Sequence, residues 1–259
     1  MEKELLNHGE LPADAIEKAC CFVKTEEAVL PYSFKTELHL HTSPVSSCSE
    51  IPPEEAVKIY AAEGYDALVV TNHFEPSLLH RFTDADSCVK WYLRDFYAAQ
   101  EAGYREGVAV LLGMEIRFTE CINDYLVYGV DEEYLKEAYG YLDQGIEKFY
   151  CGMHREETVI LQAHPFRNSM ERADAKFLDG IETFNMHPGH NSRVGMAARY
   201  AREKGMIVSA GTDFHHPGHQ GMAAMLSKTL PTDSYAVAKI LRSRDYLFSI
   251  GGCTMFPYK

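Results

Sequence analysis

The stretch ELHLHT, residues 37–42, ends the first apolar run of the chain and carries two histidines. Side chains alternate between the two faces of a β-strand, so a strand here places His39 and His41 on one face and Leu38 and Leu40 on the other. Two imidazoles at this spacing can chelate a metal ion. A lone histidine at a strand end is more often a hydrogen-bonded structural residue, so the metal interpretation depends on how the other strands end.

Further apolar runs follow the first one, and segments with helix signals separate them. The predicted strands are Phe34–His41, Ala67–Asn72, Val108–Ile116, Thr158–Ala163, Gly180–Phe184, Ile207–Gly211 and Tyr246–Ile250. The predicted helices are Pro52–Ala62, Asp86–Glu106, Glu133–Met153, Met170–Lys176, Asn191–Lys204 and Thr232–Arg242. Runs that are apolar on both faces and alternate with helices favour a parallel sheet covered by helices. The pattern predicts an α/β fold in which the seven strands can close into a barrel.

Length and composition are compatible with one such domain. The chain has 259 residues, of which 46% are hydrophobic and 24% charged, and this excludes a disordered protein. Residues 31–259 are predicted to form a single barrel domain, and residues 1–30 a helical N-terminal extension, because those first residues lie outside the alternation. A chain of this length folds without a structural metal, so a bound metal would point to function.

Charge and cysteine content indicate the partners and the compartment. The net charge of −13 opposes binding to the phosphates of duplex nucleic acid. The sequence shows neither a signal peptide nor a run of about 18 apolar residues, so neither export nor membrane insertion is expected. Seven cysteines without CxxC spacing are typical of reduced thiols, and a cytoplasmic protein is expected.

Imidazole and carboxylate groups recur where the predicted strands end. These ends are Thr71-Asn72-His73, Gly113-Met114-Glu115, Gln162-Ala163-His164, Glu182-Thr183-Phe184-Asn185 and Thr212-Asp213-Phe214-His215. In parallel α/β folds the carboxyl ends of the strands form the active-site edge. Imidazole and carboxylate ligands suit Zn, Mn or Fe better than metals that prefer thiolates. The ordered set therefore predicts a metal cluster at this edge.

The same ordered set resembles the PHP superfamily, named for polymerase and histidinol phosphatase domains. The resemblance covers about residues 35–217, and its motifs are ELHLHT at 37–42, GYDALVVTNH at 64–73, GMEI at 113–116, ILQAHPFR at 160–167, GIETFN at 180–185 and AGTDFHH at 210–216. It implies a distorted seven-stranded β/α barrel of the TIM-like type. It also implies two or three divalent metal ions (Zn, Mn or Fe) in the barrel mouth and no organic cofactor.

The resemblance further implies which residues hold each metal. The first metal would be held by His39, His41, Glu115 and Asp213. Glu115 would bridge to a second metal, whose other ligands would be His164 and either Asp124 or Asn123. A third metal would be held by His73, His215 and Glu50, with Cys48 and Ser46 as alternatives to Glu50.

The implied activity is that of a metal-dependent phosphatase or phosphoesterase on a small molecule. A metal-bridging hydroxide would attack the phosphoester, with Glu115 and Asp213 holding the metals. Arg167, just after His164, is expected to bind the substrate phosphate, because a guanidinium can bind two phosphate oxygens at once. Arg193 could also bind substrate, and His190 could protonate the leaving oxygen.

Two alternatives remain open from the sequence. One is a metal hydrolase of the amidohydrolase type. A catalytic lysine within a strand would favour this alternative, but the predicted strand ends show none. The other is a metal-binding PHP protein without catalytic activity. Monoester or diester specificity and the oligomeric state also stay open.

Overall fold

A computed structural model describes residues 27–258, which form a mixed α/β fold. The strands are β1 (Phe34–Leu40), β2 (Ala67–Val70), β3 (His73–Phe74), β4 (Ala109–Leu112), β5 (Met114–Arg117), β6 (Asp124–Tyr128), β7 (Val159–Gln162), β8 (Gly180–Asn185), β9 (Ile207–Gly211), β10 (Ala223–Ser227), β11 (Leu247–Ile250) and β12 (Cys253–Met255). The helices are α1 (Pro53–Ala62), α2 (Ser77–Arg81), α3 (Ala85–Glu106), α4 (Glu132–Tyr139), α5 (Gly145–Met153), α6 (Val194–Lys204) and α7 (Ser234–Ser243), with a 3₁₀ turn at Ala175–Phe177. The predicted α/β class is confirmed.

The twelve strands of the described residues lie in two six-stranded sheets. Their orders are β12-β11-β10-β1-β2-β4 and β3-β5-β6-β7-β8-β9. Strands β1, β2 and β4 are parallel to one another, as are β7, β8 and β9. In contrast, β6 runs antiparallel to both of its neighbours, and β10 runs antiparallel to β1 and β11. The expectation of a wholly parallel sheet was therefore wrong. The direction of β6 follows from the short connection after β5, which is too short for a crossover and returns the chain as a hairpin.

No closed ring of strands is found between residues 27 and 258, although the two sheets meet at two places. One is Gly113, between β4 and β5, whose N–H donates to the carbonyl of Val70 at 2.9 Å. A Cβ at position 113 would lie 2.7 Å from the Val69 side chain, so only glycine allows this approach. The other is an isolated parallel bridge between Leu40 and Phe214. The described residues thus form twelve strands in two sheets where the sequence predicts seven, and the barrel stays a prediction.

Most predicted helices form, with changes at two places. The predicted helix Glu133–Met153 is two helices, α4 and α5, because Gly145 adopts a φ of 83° and begins a new helix. The predicted helix Met170–Lys176 is reduced to the 3₁₀ turn. Residues 1–26 lie outside the described residues, so the N-terminal extension stays a prediction.

The apolar faces of the strands pack under the helices, and the polar strand ends meet on the inside. Leu38 and Leu161 belong to one buried cluster, and Tyr60 and Phe214 to another. Between residues 27 and 258, no helix combines the length and the apolarity that crossing a membrane requires.

Candidate metal centre

The carboxyl end of β1 carries two fully buried histidines. Nδ1 of His39 lies 2.9 Å from Oε1 of Glu182, and Nδ1 of His41 lies 3.1 Å from Oγ of Ser46. The Nε2 atoms of the two rings approach each other to 3.0 Å. Because Nδ1 is engaged on each ring, Nε2 is the atom left to bind a metal ion.

Glu115 on β5 lies at the middle of the histidines. Its carboxylate oxygens are 3.2 Å from Nε2 of His39 and of His41, 2.9 Å from Nδ1 of His73 and 3.4 Å from Nε2 of His164. Both oxygens are buried, and neither has a partner with the geometry of a hydrogen bond. A buried carboxylate without donors is costly, so this arrangement fits a residue that bridges metal ions.

Asp213 follows β9 and faces the same histidines. Its backbone has a φ of 56°, in the left-handed region that residues other than glycine rarely adopt. Oδ1 lies 3.5 Å from Nε2 of His39 and 3.4 Å from Nε2 of His41. Oδ2 accepts hydrogen bonds from Nδ2 of Asn185, at 3.2 Å, and from the guanidinium of Arg167. One oxygen is thus fixed by donors, and the other is free for a metal.

Three groups of side chains bring their ligand atoms within 4.8 Å of one another. The groups are His39, His41 and Asp213; His41, His73 and His215; and His73, Glu115 and Asp124. Imidazole and carboxylate are ligands that Zn²⁺, Mn²⁺ and Fe²⁺ accept. Together with the donor-free carboxylate of Glu115, these groups fit divalent metal ions.

Of the two residues considered for the second metal, Asp124 faces the site. Its Oδ2 lies 3.9 Å from Nε2 of His164. Asn123 faces elsewhere, since its Oδ1 accepts a hydrogen bond from the backbone N–H of Glu171 at 3.0 Å. Asp124 also accepts two hydrogen bonds from Arg117, at 2.7 and 2.8 Å, across the β5–β6 hairpin.

The structure does not bring Glu50 to the ligand groups. Its side chain is 75% exposed and meets Nδ1 of His216 at 3.2 Å. Cys48 lies closer, with Sγ 3.1 Å from Nε2 of His215, whose Nδ1 is 2.8 Å from the backbone carbonyl of Asp213. The expected position of Glu50 at the cluster is therefore not found, because the loop after β1 turns residue 50 outward, and Cys48 is the alternative whose side chain reaches His215.

Of the three residues expected near the substrate, two line the cavity at the metal centre and one does not. Arg167 and His190 both line the cavity at the metal centre, whose volume is about 330 Å³. The guanidinium of Arg193 instead donates to the backbone carbonyl of Phe166 and to Asn168, and this residue is not among the lining residues of that cavity. Arg193 therefore braces the loop after β7.

The electrostatics of the cluster favour cations. Burial alone would raise the pKa of Glu115, but His39 and His73 beside it hold the pKa well below its usual range. Burial acts in the same way on Asp213, and His39 again keeps the pKa of that carboxyl well below its usual range. Burial lowers the pKa of His215 to about 3. Burial alone would lower the pKa of His39, but Glu182 and Asp213 hold that pKa well above its usual range. A metal binds ionised carboxylates and neutral imidazoles, so at His39 a bound cation would take the place of a proton.

Sequence reasoning left two contributors to the site without a role. Glu182 contacts His39. The sequence places it at a strand end without giving it a function, although it is a buried carboxylate on β8. Arg117, which holds Asp124, lies two residues after Glu115 on the same strand. The two-residue strand period was the signal for Arg117, since it puts both side chains on one face.

Comparison with known proteins gives one family. A model of the PHP domain matches residues 37–247. No curated protein matches the chain in sequence.

Two solved structures illustrate the likeness in fold. The first is a two-domain protein from Bacteroides vulgatus containing a predicted PHP-like metal-dependent phosphoesterase, with a TM-score of 0.58 and 16% identity over 84% of this chain. This chain spans 64% of the length of that protein. The second is PsfC from Pseudomonas syringae, with a TM-score of 0.52 and 16% identity over 74% of this chain and 80% of that one. At such identities the likeness shows the fold alone.

Proposed function

This chain belongs to the PHP domain family, and from that premise we propose that it is a metal-dependent phosphoesterase acting on a small molecule. Membership of the family supports a metal-dependent hydrolase. The observation that carries the proposal is Glu115, a buried carboxylate that has no hydrogen-bond donor and lies within 3.4 Å of four imidazoles. A buried carboxylate without donors destabilises the fold on its own, but it can bind two cations at once.

We propose two or three divalent metal ions, Zn, Mn or Fe, as the resident cofactor. The first would be held by His39, His41, Glu115 and Asp213, the second by Glu115, His164 and Asp124, and the third by His73, His215 and Cys48. When bound, such ions lower the pKa of a coordinated water and polarise phosphoryl oxygens.

The remaining residues of the site orient those ligands and the substrate. Glu182 holds the ring of His39 so that Nε2 faces the other ligands. Arg167 fixes Oδ2 of Asp213 and lines the cavity, where its remaining N–H groups can bind a phosphate oxygen. His190 lines the same cavity and can donate a proton to the leaving oxygen.

We also propose that the two sheets together make the distorted barrel expected for the family. The bridge between Leu40 and Phe214 supports this, because it links the end of β1 to the chain just after β9. The hydrogen bond from the N–H of Gly113 to Val70 supports it at the other junction.

The test is hydrolysis of phosphomonoesters and phosphodiesters by the purified full chain loaded with Mn²⁺ or Zn²⁺. We expect turnover of at least one ester and its loss in Asp213→Asn and His39→Ala. The matched control is His80→Ala, since His80 is an exposed histidine on α2. Equal turnover in wild type and Asp213→Asn would refute the proposal. Metal binding without turnover of any ester would indicate the non-catalytic alternative, and turnover of amides or lactones alone the amidohydrolase alternative.

A further inference from the structure

His187 lies in the loop after β8 and faces the metal centre without belonging to any ligand group. It lines the cavity that Glu115 and Asp213 also line. Its ring centroid is 5.6 Å from that of His215, in an edge-on arrangement, and 4.5 Å from that of His190.

One nitrogen of this imidazole is already engaged by the backbone. The N–H of Gly189 donates to Nδ1 of His187 at 3.0 Å. A donor must meet a lone pair, so Nδ1 carries no proton, and the neutral ring has its proton on Nε2. Glycine allows this approach, because a Cβ at position 189 would lie 3.0 Å from Cε1 of His187 and 3.3 Å from its Nδ1.

Two of the proposed ligand histidines, His39 and His215, have the opposite tautomer. Nδ1 of His39 faces the carboxylate of Glu182, and Nδ1 of His215 faces the backbone carbonyl of Asp213. Both partners are acceptors, so in these rings Nδ1 carries the proton and Nε2 keeps the lone pair that a metal needs. The backbone around His187 thus makes its Nε2 a donor, whereas the surroundings of His39 and His215 make theirs acceptors.

We infer that His187 is a substrate-binding residue, which donates a hydrogen bond from Nε2 to a phosphoryl oxygen and does not bind metal. Within residues 27–258, Nε2 of His187 has no hydrogen-bond partner, so the donor is available to a ligand in the cavity. A neutral donor binds a phosphoryl oxygen without adding a charge that would repel the metal ions nearby. The inference rests on the proposed function, because that function puts a phosphoryl group in this cavity.

The test uses the full chain, loaded with Zn²⁺ and labelled with ¹⁵N-histidine. Long-range ¹H–¹⁵N spectra report which ring nitrogen carries the proton, and the signal of His187 is assigned by its loss in His187→Gln. We expect a proton on Nε2 of His187 and on Nδ1 of His39. A proton on Nδ1 of His187 would overturn the inference.

Binding of inorganic phosphate, measured by calorimetry, then tests the donor without requiring turnover. We expect His187→Phe to weaken binding about tenfold, which is the loss of one hydrogen bond to a charged group. His187→Gln, whose amide can still donate, should stay within about threefold of wild type. Metal content should be unchanged in both variants, and His80→Gln is the matched control. Unchanged phosphate affinity in His187→Phe, no binding by wild type, or loss of metal in either variant would each overturn the inference.

The two proposals fail in different ways. If wild type binds phosphate through His187 but hydrolyses no ester, the proposed function fails and the donor role stands. If Asp213→Asn abolishes turnover while His187→Phe leaves phosphate binding unchanged, the proposed function stands and the donor role fails.

Discussion

The carboxylate of Glu182 determines which nitrogen of His39 faces the other ligands. Oε1 accepts from Nδ1 of His39, and Oε2 accepts from the backbone N–H of His164 at 3.1 Å and from Nδ2 of Asn185 at 2.9 Å. Both oxygens therefore face donors only. An NH₂ group in place of either oxygen would face one of those N–H groups, and two donors cannot form a hydrogen bond with each other.

Glu182→Gln is expected to weaken metal binding by about 10- to 100-fold. The NH₂ group of the glutamine must face one of these donors, so the ring of His39 or the neighbouring loop has to change its orientation. Competition with a chelator of known affinity measures the change. The matched control is Glu203→Gln, since Glu203 is an exposed residue that pairs with Arg199 on α6. Equal metal affinity in Glu182→Gln and wild type would contradict the prediction.

The thiol of Cys48, in the loop after β1, meets the imidazole of His215. In the Co²⁺-substituted protein, a thiolate ligand gives a near-ultraviolet charge-transfer band. We expect this band in wild type and in Cys151→Ser, which changes another exposed cysteine, but not in Cys48→Ser. Persistence of the band in Cys48→Ser would show that the sulfur does not bind metal.

The predictability of the site from sequence depends on where each residue lies. His39 and His41 lie on a strand, and the two-residue period fixes their common face. Residues 48 and 50 lie in a loop, where no period fixes direction, so nothing local distinguished Cys48 from Glu50. Tertiary contact with His215 and His216 separates them.

Among the elements, β9 lies so close to β1 that its last residue must be glycine. A Cβ at Gly211 would lie 2.4 Å from Cβ of His39 and 2.8 Å from Oε1 of Glu182. The spacing of these two strands therefore sets the position of His39, a proposed ligand of the first metal.

Gly211→Ala is expected to lower the free energy of unfolding by about 1–3 kcal/mol, because a buried methyl group overpacks the contact. It should also weaken metal binding, since His39 has to move. Gly195→Ala is the control: a Cβ there meets nothing within 4 Å, and the residue lies within α6. That variant should gain about 0.5–1 kcal/mol from helix propensity. Urea unfolding of both variants measures the difference, and an unchanged stability in Gly211→Ala would contradict the prediction.

The strands that sequence patterns located best were those buried on both faces. β2 and β9 are short apolar runs and were predicted within two residues of their observed ends. The hairpin of β5 with β6 is not predicted, because Asp124–Tyr128 is not among the predicted strands. Val108–Ile116 is predicted as one strand, whereas Gly113 divides it between the two sheets. The division depends on packing against Val69, which no local pattern encodes.

For the whole molecule, the excess of carboxylates has a local meaning. The net charge of −13 includes the buried Glu115, Asp124 and Asp213, which converge at one end of the fold. Asp124 and Asp213 are paired with Arg117 and Arg167, whereas the oxygens of Glu115 have no hydrogen-bond partner. Buried charges destabilise a protein unless they are paired, so the metal-free chain carries a cost at Glu115 that cations would remove.

Metal binding is therefore expected to stabilise the folded chain. At a free metal concentration of about 100 times the dissociation constant, the folded state gains about 2.7 kcal/mol. For a chain of this size that gain corresponds to a rise in Tm of about 5–11 °C. Differential scanning calorimetry of the chelator-treated chain, with and without added Mn²⁺ or Zn²⁺, measures the shift.

NaCl at matched ionic strength should give a much smaller rise, because screening acts weakly on buried charges. Asp213→Asn should show a smaller metal-induced rise than wild type, since it loses a charged ligand of the first metal. An equal rise in that variant, or one that NaCl reproduces, would mean that the carboxylates at the strand ends do not hold the cations.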